Sequence, residues 1–586
     1  MCGILTVART ASGDPLDLAA CRRALSRLSW RGPDLCVSSI WDERVFLGQT
    51  VLSLTGDVTG SSGAYARSKS GRYAVAFNGE LYNFRELAAR YLDGRVAIAE
   101  ETTDTEVLVN LHDVMAPEQV PALLDGMYAY TVLDQEAQQI YVARDPQGEK
   151  SLFIHHGDGQ VIVASEIPAI LALHPGLPLD TQALRDYFRT RHYMLFERTA
   201  FQGIRQLLPG RLERLDLRDS QWSVRQEARL RDWIDPVAFE RNRARPLDDL
   251  ADELDALLAQ SAGEMLPERR KYAAVVSGGV DSSLLGHYLV AGGSPDVLVA
   301  VDHIGKDQIS SDLSGFEQAL GRRIHVLHID EVPYAAEIVR CQQTCGGPLG
   351  AHSFVPQSLQ SAHVRSAGCR ILFGGEGGDE YFGGYDAYLR PVGVDTEYSP
   401  SPYLTHQTPE VAFVDDEPGL IQEELRRAWA DSLDAYAFVG DPVERATLAM
   451  LYGDAAYQLP AVGLRGADLM SMMWSLETRT VLIRRAVAAF ALNLPVRAKL
   501  DPGNPDPNRR TKILLKKLFL RYFPEALLVK KQGFAGFPNE SAAYLGAPED
   551  YLAHDLLGMK PAAAPLSRAA LWKLTNVEYF LRSRFA

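Results

Sequence analysis

A cysteine stands at position 2, after the initiator methionine and before Gly3. Removal of methionine ahead of a small residue would leave the Cys2 thiol beside a free α-amino group. Such an amine has a pKa near ~8, close enough to neutrality to serve as general base for the thiol, so this chemistry asks for cysteine at position 2 and nowhere else. Downstream, in order, come Trp30–Asp34 (WRGPD), Phe77–Phe84 (FNGELYNF) and Thr103–Leu108 (TDTEVL). An Asn-Gly pair alone marks a hairpin turn. Beside a nucleophile it reads as an oxyanion hole, with the Asn78 side-chain amide and the Gly79 N–H donating to a developing oxyanion. Asp104 is then suited to hold the ammonium group of an amino-acid donor.

A second set of residues carries different chemistry. Ser277–Ser283 reads SGGVDSS, directly after an apolar run and before a helical one. Gly278 and Gly279 let the backbone close on phosphate, and a helix N-terminus supplies positive potential. Ser277, Ser282 and Ser283 add hydroxyl donors. Asp281 would repel phosphate directly but makes sense as a Mg2+ ligand bridging to pyrophosphate oxygens. The run lacks the Gly-Lys-Ser/Thr ending of a P-loop. About a hundred residues on, Gly374–Tyr385 (GGEGGDEYFGGY) combines glycines, Gly375 among them, with Glu376, Asp379 and Glu380.

The elements that must hold these groups fall into two parts. Residues 1 to about 215 carry short β-type runs, including Arg72–Phe77, Tyr128–Leu133 and Gln139–Ala143, with a helical Phe84–Tyr91. They predict a strand-rich α+β domain. Residues 216–246 are charged with no clear β period and read as a linker. The second domain is expected over 247–586, opening with a helix from about Leu247 to Ala262. There, strand-like runs at Lys271–Val276, Asp296–Val301, Arg323–Ile329 and Cys369–Phe373 alternate with helices, which predicts a parallel, doubly wound α/β sheet. From about residue 410 the chain reads mostly helical.

Composition narrows the class further. A chain of 586 residues exceeds one hydrophobic core. A formal net charge of −15 argues against nucleic acid or anionic membrane as partner, though not against a nucleotide. Six cysteines in such a length are no disulfide scaffold. Cys341 and Cys345 lack the partner pair a zinc finger needs, and are expected to be ordinary thiols. No signal peptide or membrane-spanning run is evident, so the cytoplasm is the default expectation.

The first set of motifs resembles the class II glutamine amidotransferases, which implies an N-terminal-nucleophile fold with Cys2 as nucleophile, Asn78 and Gly79 as oxyanion hole, and Glu80 and Asp104 as glutamine contacts. Arg144 and Asp145 then hold structure. The SGGVDSS run resembles the PP-loop of ATP pyrophosphatases, and with GGEGGDEYFGGY it is similar to the asparagine synthetase superfamily. That resemblance implies ATP and Mg2+ as cofactors, Asp379 as second metal ligand and Glu376 as base for the incoming nitrogen. Lys530–Phe534 (KKQGF) resembles the family's R-x-K-Q-G-F, making Lys531 the cation facing the α-phosphate and leaving pyrophosphate. Asp468–Arg479 (DLMSMMWSLETR) carries a further family pattern, with Glu477 and Arg479 as an ion pair. Lys512 and Lys516 are expected to be structural or surface charges in a helix.

The implied reaction is ATP-dependent amidation. An acceptor carboxylate is activated as an acyl-adenylate and takes ammonia released from glutamine, as in asparagine synthetase. The partners are small molecules, with either a monomer or a homodimer compatible. Three departures bear on the substrates. Val51 stands where the family carries an Arg that pairs with the glutamine α-carboxylate, and Arg44 or Arg31 is the candidate replacement. Asp302–Gly315 does not reproduce the family's segment after the PP-loop, and Arg484 stands where ETRTVLIR should end in Asp. They open the alternatives of a non-aspartate acceptor or a modified glutamine donor. A β-lactam synthetase-like cyclase is opposed by the retained Cys2, and a non-catalytic scaffold by the retained charges.

Overall fold

The computed structural model describes residues 2–10, 13–54, 65–95, 102–192, 194–302, 313–329, 333–405, 408–529, 550–560 and 565–585. Met1 and Lys531, with the whole of the KKQGF motif, lie outside these residues.

The N-terminal part is an antiparallel sandwich. One six-stranded sheet contains, in spatial order, β10 (Ile204–Gln206), β8 (Phe153–Gly157), β9 (Gln160–Ala164), β1 (Cys2–Arg9), β3 (Val45–Val51) and β2 (Leu35–Trp41). The other contains β12 (Gln221–Glu227), β11 (Arg211–Asp216), β7 (Gln139–Arg144), β6 (Gly126–Asp134), β5 (Tyr73–Leu81) and β4 (Tyr65–Arg67). Residues 221–227, read on sequence as linker, thus pair with β11 and extend this second sheet. Their charged, partly exposed side chains suit an edge strand, which needs only one buried face.

The two-residue period of the strands sorts side chains between the layers. Ile4 and Ala8 of β1, Val45 and Leu47 of β3, and Ala74 and Ala76 of β5 pack together between the sheets. Leu5 and Val7 face the opposite way, against the helix Leu18–Ser26 and the C-terminal helix Arg568–Phe585. Tyr73, Val75 and Phe77 face the helices Phe84–Tyr91 and Asp104–Leu111. The same parity carries Cys2, Gln49, Val51, Asn78 and Glu80 into the inter-sheet layer at its open end.

The C-terminal part holds a five-stranded parallel sheet in the order β15 (Ile324–His328), β14 (Val297–Asp302), β13 (Tyr272–Val275), β16 (Ile371–Gly374) and β17 (Glu477–Thr480). Helices including Leu247–Met265 and Val280–Gly292 pack on it through a shared apolar core. The sequence reading missed β17 because Glu477 and Arg479 occupy strand positions usually filled by apolar residues. Both are buried, and they neutralise each other through a 2.7 Å contact from Arg479 Nε to Glu477 Oε1.

Candidate functional site

At the open end of the sandwich, β1 and β3 run in antiparallel register with Cys2 opposite Val51. Cys2 is buried, and burial pushes its thiol up. Hydrogen bonds from the Gln49 side chain and from the Leu52 backbone work against that rise. The orientation of Gln49 is fixed, because its Oε1 accepts the Phe77 N–H at 3.1 Å and its NH2 is left for the sulfur. Sequence reasoning missed Gln49, whose amide has no motif of its own.

Asn78 faces Cys2 across the two sheets. Its Oδ1 accepts the Cys2 N–H at 3.1 Å, while its Nδ2 is buried with no hydrogen-bond partner among the described residues. A buried amide donor without an acceptor costs roughly 1–3 kcal/mol unless something fills the place. The neighbouring Gly79 N–H is directed by the ladder. Tyr128, opposite Gly79, gives its carbonyl to the Asp145 N–H and its own N–H to Asp145 Oδ2. Its hydrogen-bonding edge therefore faces away from β5, and the Gly79 N–H turns outward from the pair. The N–H groups of Phe77 and Leu81, on the same edge as that of Gly79, go to Gln49 Oε1 and Asp104 Oδ2. Gly79 thus presents its N–H between those two side chains, beside the Asn78 amide.

Asp104 opens the helix Asp104–Leu111, whose N-cap Thr103 accepts the Glu106 N–H. Its carboxylate takes the Leu81 N–H at 3.1 Å and the Thr105 N–H at 2.7 Å. Burial pushes Asp104 up, opposed by those hydrogen bonds. Glu80 is likewise pushed up by burial and pulled back by Arg479, 3.5 Å away on β17. Neither cation proposed to replace the missing Arg at position 51 is available. Arg31 is fully buried and committed to the Cys2 carbonyl, Glu166 and Asp468. Arg44 precedes β3 at the end remote from Cys2 and donates to Leu217 O.

The second cluster lies at the C-terminal ends of β13 and β16, where a parallel sheet opens its crevice. Ser277 Oγ and Ser282 Oγ lie 3.0 Å apart, and Ser282 Oγ also receives the Ser277 N–H, which folds the loop onto the start of the helix Val280–Gly292. Ser283 Oγ is buried without a partner among the described residues. Asp281 meets the β16 loop closely: a Cβ on Gly378 would lie 2.5 Å from Asp281 Cγ, so any side chain there would displace the carboxylate. Gly375 also borders Asp281. Glu376 has one carboxylate oxygen buried and unpartnered among the described residues, and burial pushes the group up.

Asp281 and Asp379 converge on one cation, Lys512 Nζ, which contacts Asp281 and lies 2.5 Å from Asp379 Oδ1. Lys512 was expected to be a structural or surface charge. It is instead buried, stands at the N-cap of the helix Ile513–Tyr522 with φ +52°, and bridges both carboxylates. Burial alone would lower its ammonium, but the two aspartates raise it overall. Two hard oxygen donors that close on a single ammonium can equally close on a hard divalent ion.

Buried charges join the two parts of the chain. Arg31 NH1 reaches Glu166 Oε1 at 2.7 Å and its NH2 reaches Asp468 Oδ2 at 2.8 Å. Lys150 holds the other Asp468 oxygen at 2.8 Å, and Arg465 holds Glu166 at 2.5 Å. Burial pushes Asp468 up, but Arg31 and Lys150 bring it down to about 2. Lys150 is presented by a loop stapled by Arg144 and Asp145. Arg144 donates to the carbonyls of Lys150, Leu207 and Gly148, while Asp145 accepts the N–H groups of Gln147, Glu149 and Lys150. Gln147 of that loop accepts the Tyr381 hydroxyl at 2.7 Å and donates to Ile483 O. Arg484 bridges Asp125 and Glu264 at 2.8 and 2.6 Å, so it serves the junction between the two parts. Cys341 and Cys345 are buried, and burial pushes both thiols up to about 12.

Among the described residues no helix is long and apolar enough to cross a membrane. Residues 1–226 match a family model described as a glutamine amidotransferase domain, and residues 253–584 match one described as asparagine synthase. A putative asparagine synthetase (glutamine-hydrolyzing) of Mycobacterium tuberculosis is 27% identical over 553 residues, spanning 86% of this chain and 81% of that protein. Asparagine synthetase (glutamine-hydrolyzing) 3 of Bacillus subtilis is 24% identical over 544 residues, spanning 87% and 83%. A Gibberella zeae protein named amidase chry2 is 24% identical over 389 residues, spanning 62% and 55%.

Proposed function

Because the chain belongs to the asparagine synthase family, and is by its two matched domains a glutamine-dependent amidotransferase whose synthase domain implies ATP use, we propose that it forms an amide on an ATP-activated carboxylate with nitrogen released at Cys2. The observation that carries the first half is the divided Asn78 amide: its oxygen holds the Cys2 backbone while its NH2, without a partner among the described residues, lies next to the Gly79 N–H. Cys2 attacks the donor amide carbon. Asn78 and Gly79 stabilise the oxyanion, and ammonia leaves as the thioester forms. Asp104 and Glu80 offer negative charge for the donor's ammonium group.

In the second half, the Ser277–Ser283 loop holds ATP phosphates and an acceptor carboxylate attacks the α-phosphorus, giving an acyl-adenylate and pyrophosphate. Asp281 and Asp379 fit Mg2+, which when bound supplies charge neutralisation for the departing pyrophosphate. Lys512 keeps the two carboxylates paired and adds a fixed positive charge beside the phosphates. Glu376, with a burial-raised pKa, is suited to take the proton from the attacking nitrogen. Ammonia moves between the parts, and the buried junction of Arg31, Asp468, Lys150, Gln147 and Tyr381 supports a path shielded from water.

A second reading is favoured by Val51 and Arg484. With valine opposite Cys2 and Arg484 committed to Asp125 and Glu264, a modified glutamine donor with a masked α-carboxylate, such as a glutamine α-amide, and a non-aspartate acceptor fit better than the family's own substrates. The test is pyrophosphate release and product mass with ATP, Mg2+ and a panel of carboxylates, each paired with glutamine, glutamine α-amide or ammonium. Asparagine made from glutamine supports the family reaction. Product from another pairing supports the second reading. Folded protein that releases no pyrophosphate with any pair contradicts both.

A further inference from the structure

Away from both clusters, on the outer face of the first sheet, two histidines and an aspartate come together. Parity along β8 puts Ile154 inside the sandwich and His155 outside, on the same face as Phe153. The helix Ile167–Leu173 packs on that face and ends at His174, whose N–H caps it to Ile170 O at 3.0 Å. Asp158 sits in the β8–β9 hairpin turn with φ +51°. The hairpin and the helix thus deliver three donors to one spot. One donor atom from each of His155, Asp158 and His174 lies within 4.8 Å of the other two.

The imidazoles are set up as ligands rather than as surface polar groups. His155 is 3% exposed, and its Nδ1 lies 2.9 Å from Gly203 O. A carbonyl only accepts, so Nδ1 carries the proton and Nε2 carries the lone pair. That Nε2 is buried without a partner among the described residues, and so is His174 Nε2. The two rings lie 4.8 Å apart between centroids. A backbone carbonyl fixing the tautomer through the far nitrogen is the arrangement that orients metal-bound histidines. Asp158 Oδ2 lies 3.3 Å from His174 Nδ1 and is open to solvent, so it can move and leaves room for water. Gly157 frames the donor, since a Cβ there would lie 3.2 Å from His155 Nε2.

We propose that His155, His174 and Asp158 form a site for a borderline transition-metal ion, Zn2+ foremost, with water as a further ligand. Two imidazoles and one carboxylate are a donor set that Zn2+ takes in tetrahedral form, with bonds of about 2.1 Å and ligands about 3.4 Å apart. Binding would draw donor atoms that lie within 4.8 Å of one another to that spacing. The ion would tie the β8–β9 hairpin to the segment after His174. There Arg584 of the C-terminal helix already binds the Pro175 and Leu177 carbonyls at 3.1 Å. This site is independent of the proposed reaction.

The experiment is metal titration of the full chain after chelator treatment. Zn2+ is followed by calorimetry and Co2+ by its ligand-field absorption, for wild type, His174→Gln and Asp158→Asn. The expected result is one ion bound by wild type beyond the number bound by His174→Gln, with the spectrum of four-coordinate Co2+. Asp158→Asn, on an exposed turn that asparagine tolerates, should bind that ion about 10-fold or more weakly. Zinc-edge X-ray absorption of the one-ion complex should show two imidazoles and no sulfur, separating it from any ion at Cys2. Equal binding by wild type and His174→Gln, unchanged affinity in Asp158→Asn, or a sulfur-containing shell would each overturn the proposal.

Discussion

The thiol cluster and the carboxylate cluster are built on opposite principles. Around Cys2 the working groups come from the ends of β1, β3 and β5 and a helix start, aligned by strand parity and held mainly by hydrogen bonds to backbone. Around Asp281 they come from two glycine-rich loops at the ends of parallel strands, held by opposite charges converging on Lys512. The first site is preorganised by a framework that cannot shift without breaking the ladder. The second is balanced by charge, so its geometry depends on which cation is present. Geometry is the stronger constraint for oxyanion stabilisation, and charge is the stronger one for phosphoryl chemistry.

The largest effect that would sharpen this contrast is expected at Lys512. Lys512→Met leaves two partly buried carboxylates facing each other, and ATP-dependent pyrophosphate release should fall about 10³-fold. Glutaminase activity of the same variant should be unchanged, and if both fall together the two sites are not separately built.

Next comes the network that joins the two parts of the chain. Asp468→Asn breaks a buried pairing with Arg31 and Lys150, and should destabilise the chain by about 3 kcal/mol in urea unfolding. The carboxyl titrates at about 2 in the folded chain, below the ~3.9 of an unfolded aspartate. Its contribution is therefore complete above ~3.9 and lost as pH falls toward about 2, so wild type and variant should converge in stability over that window. A difference that holds constant from ~5 to ~2 would show that the ionised pairing is not its source.

Asn78→Ala should lower glutamine-dependent turnover about 10²-fold while sparing ammonium-dependent product. Loss of both would place Asn78 in the framework rather than at the oxyanion. The smallest effect is expected at Val51. Val51→Arg should tighten free glutamine about 10-fold, read in KM rather than kcat. Arg270, whose guanidinium lies 3.4 Å from Ser53 Oγ, is the cation this result must be set against. If Arg270→Ala weakens glutamine by more than Val51→Arg strengthens it, the donor carboxylate already has its partner.

The thiol site was legible where chemistry demanded a residue at a fixed place: Cys2 at the start, then Asn78 and Asp104 in order. Its parity was not, because the opposition of β1 to β5 depends on how two sheets pack. Gln49 is invisible for that reason. The ion pairs Arg31–Asp468 and Arg465–Glu166 join residues hundreds apart, and no local pattern announces them. Arg31 and Asp468 each sat in a quoted motif, yet nothing linked one to the other. Lys512 was misread because TKILLKK looks like an amphipathic helix, whereas the residue sits just before the helix in a left-handed conformation that turns it inward. The strands β12 and β17 were overlooked because their charges mask the alternation on which strand reading depends.

Cys2→Ala, assayed for amide product with glutamine and with ammonium under the same ATP and acceptor, tests the central claim most directly. Product from glutamine should disappear, while product from ammonium and its pyrophosphate should persist. Product that still forms from glutamine, or loss of the ammonium-driven reaction in a folded variant, would contradict it.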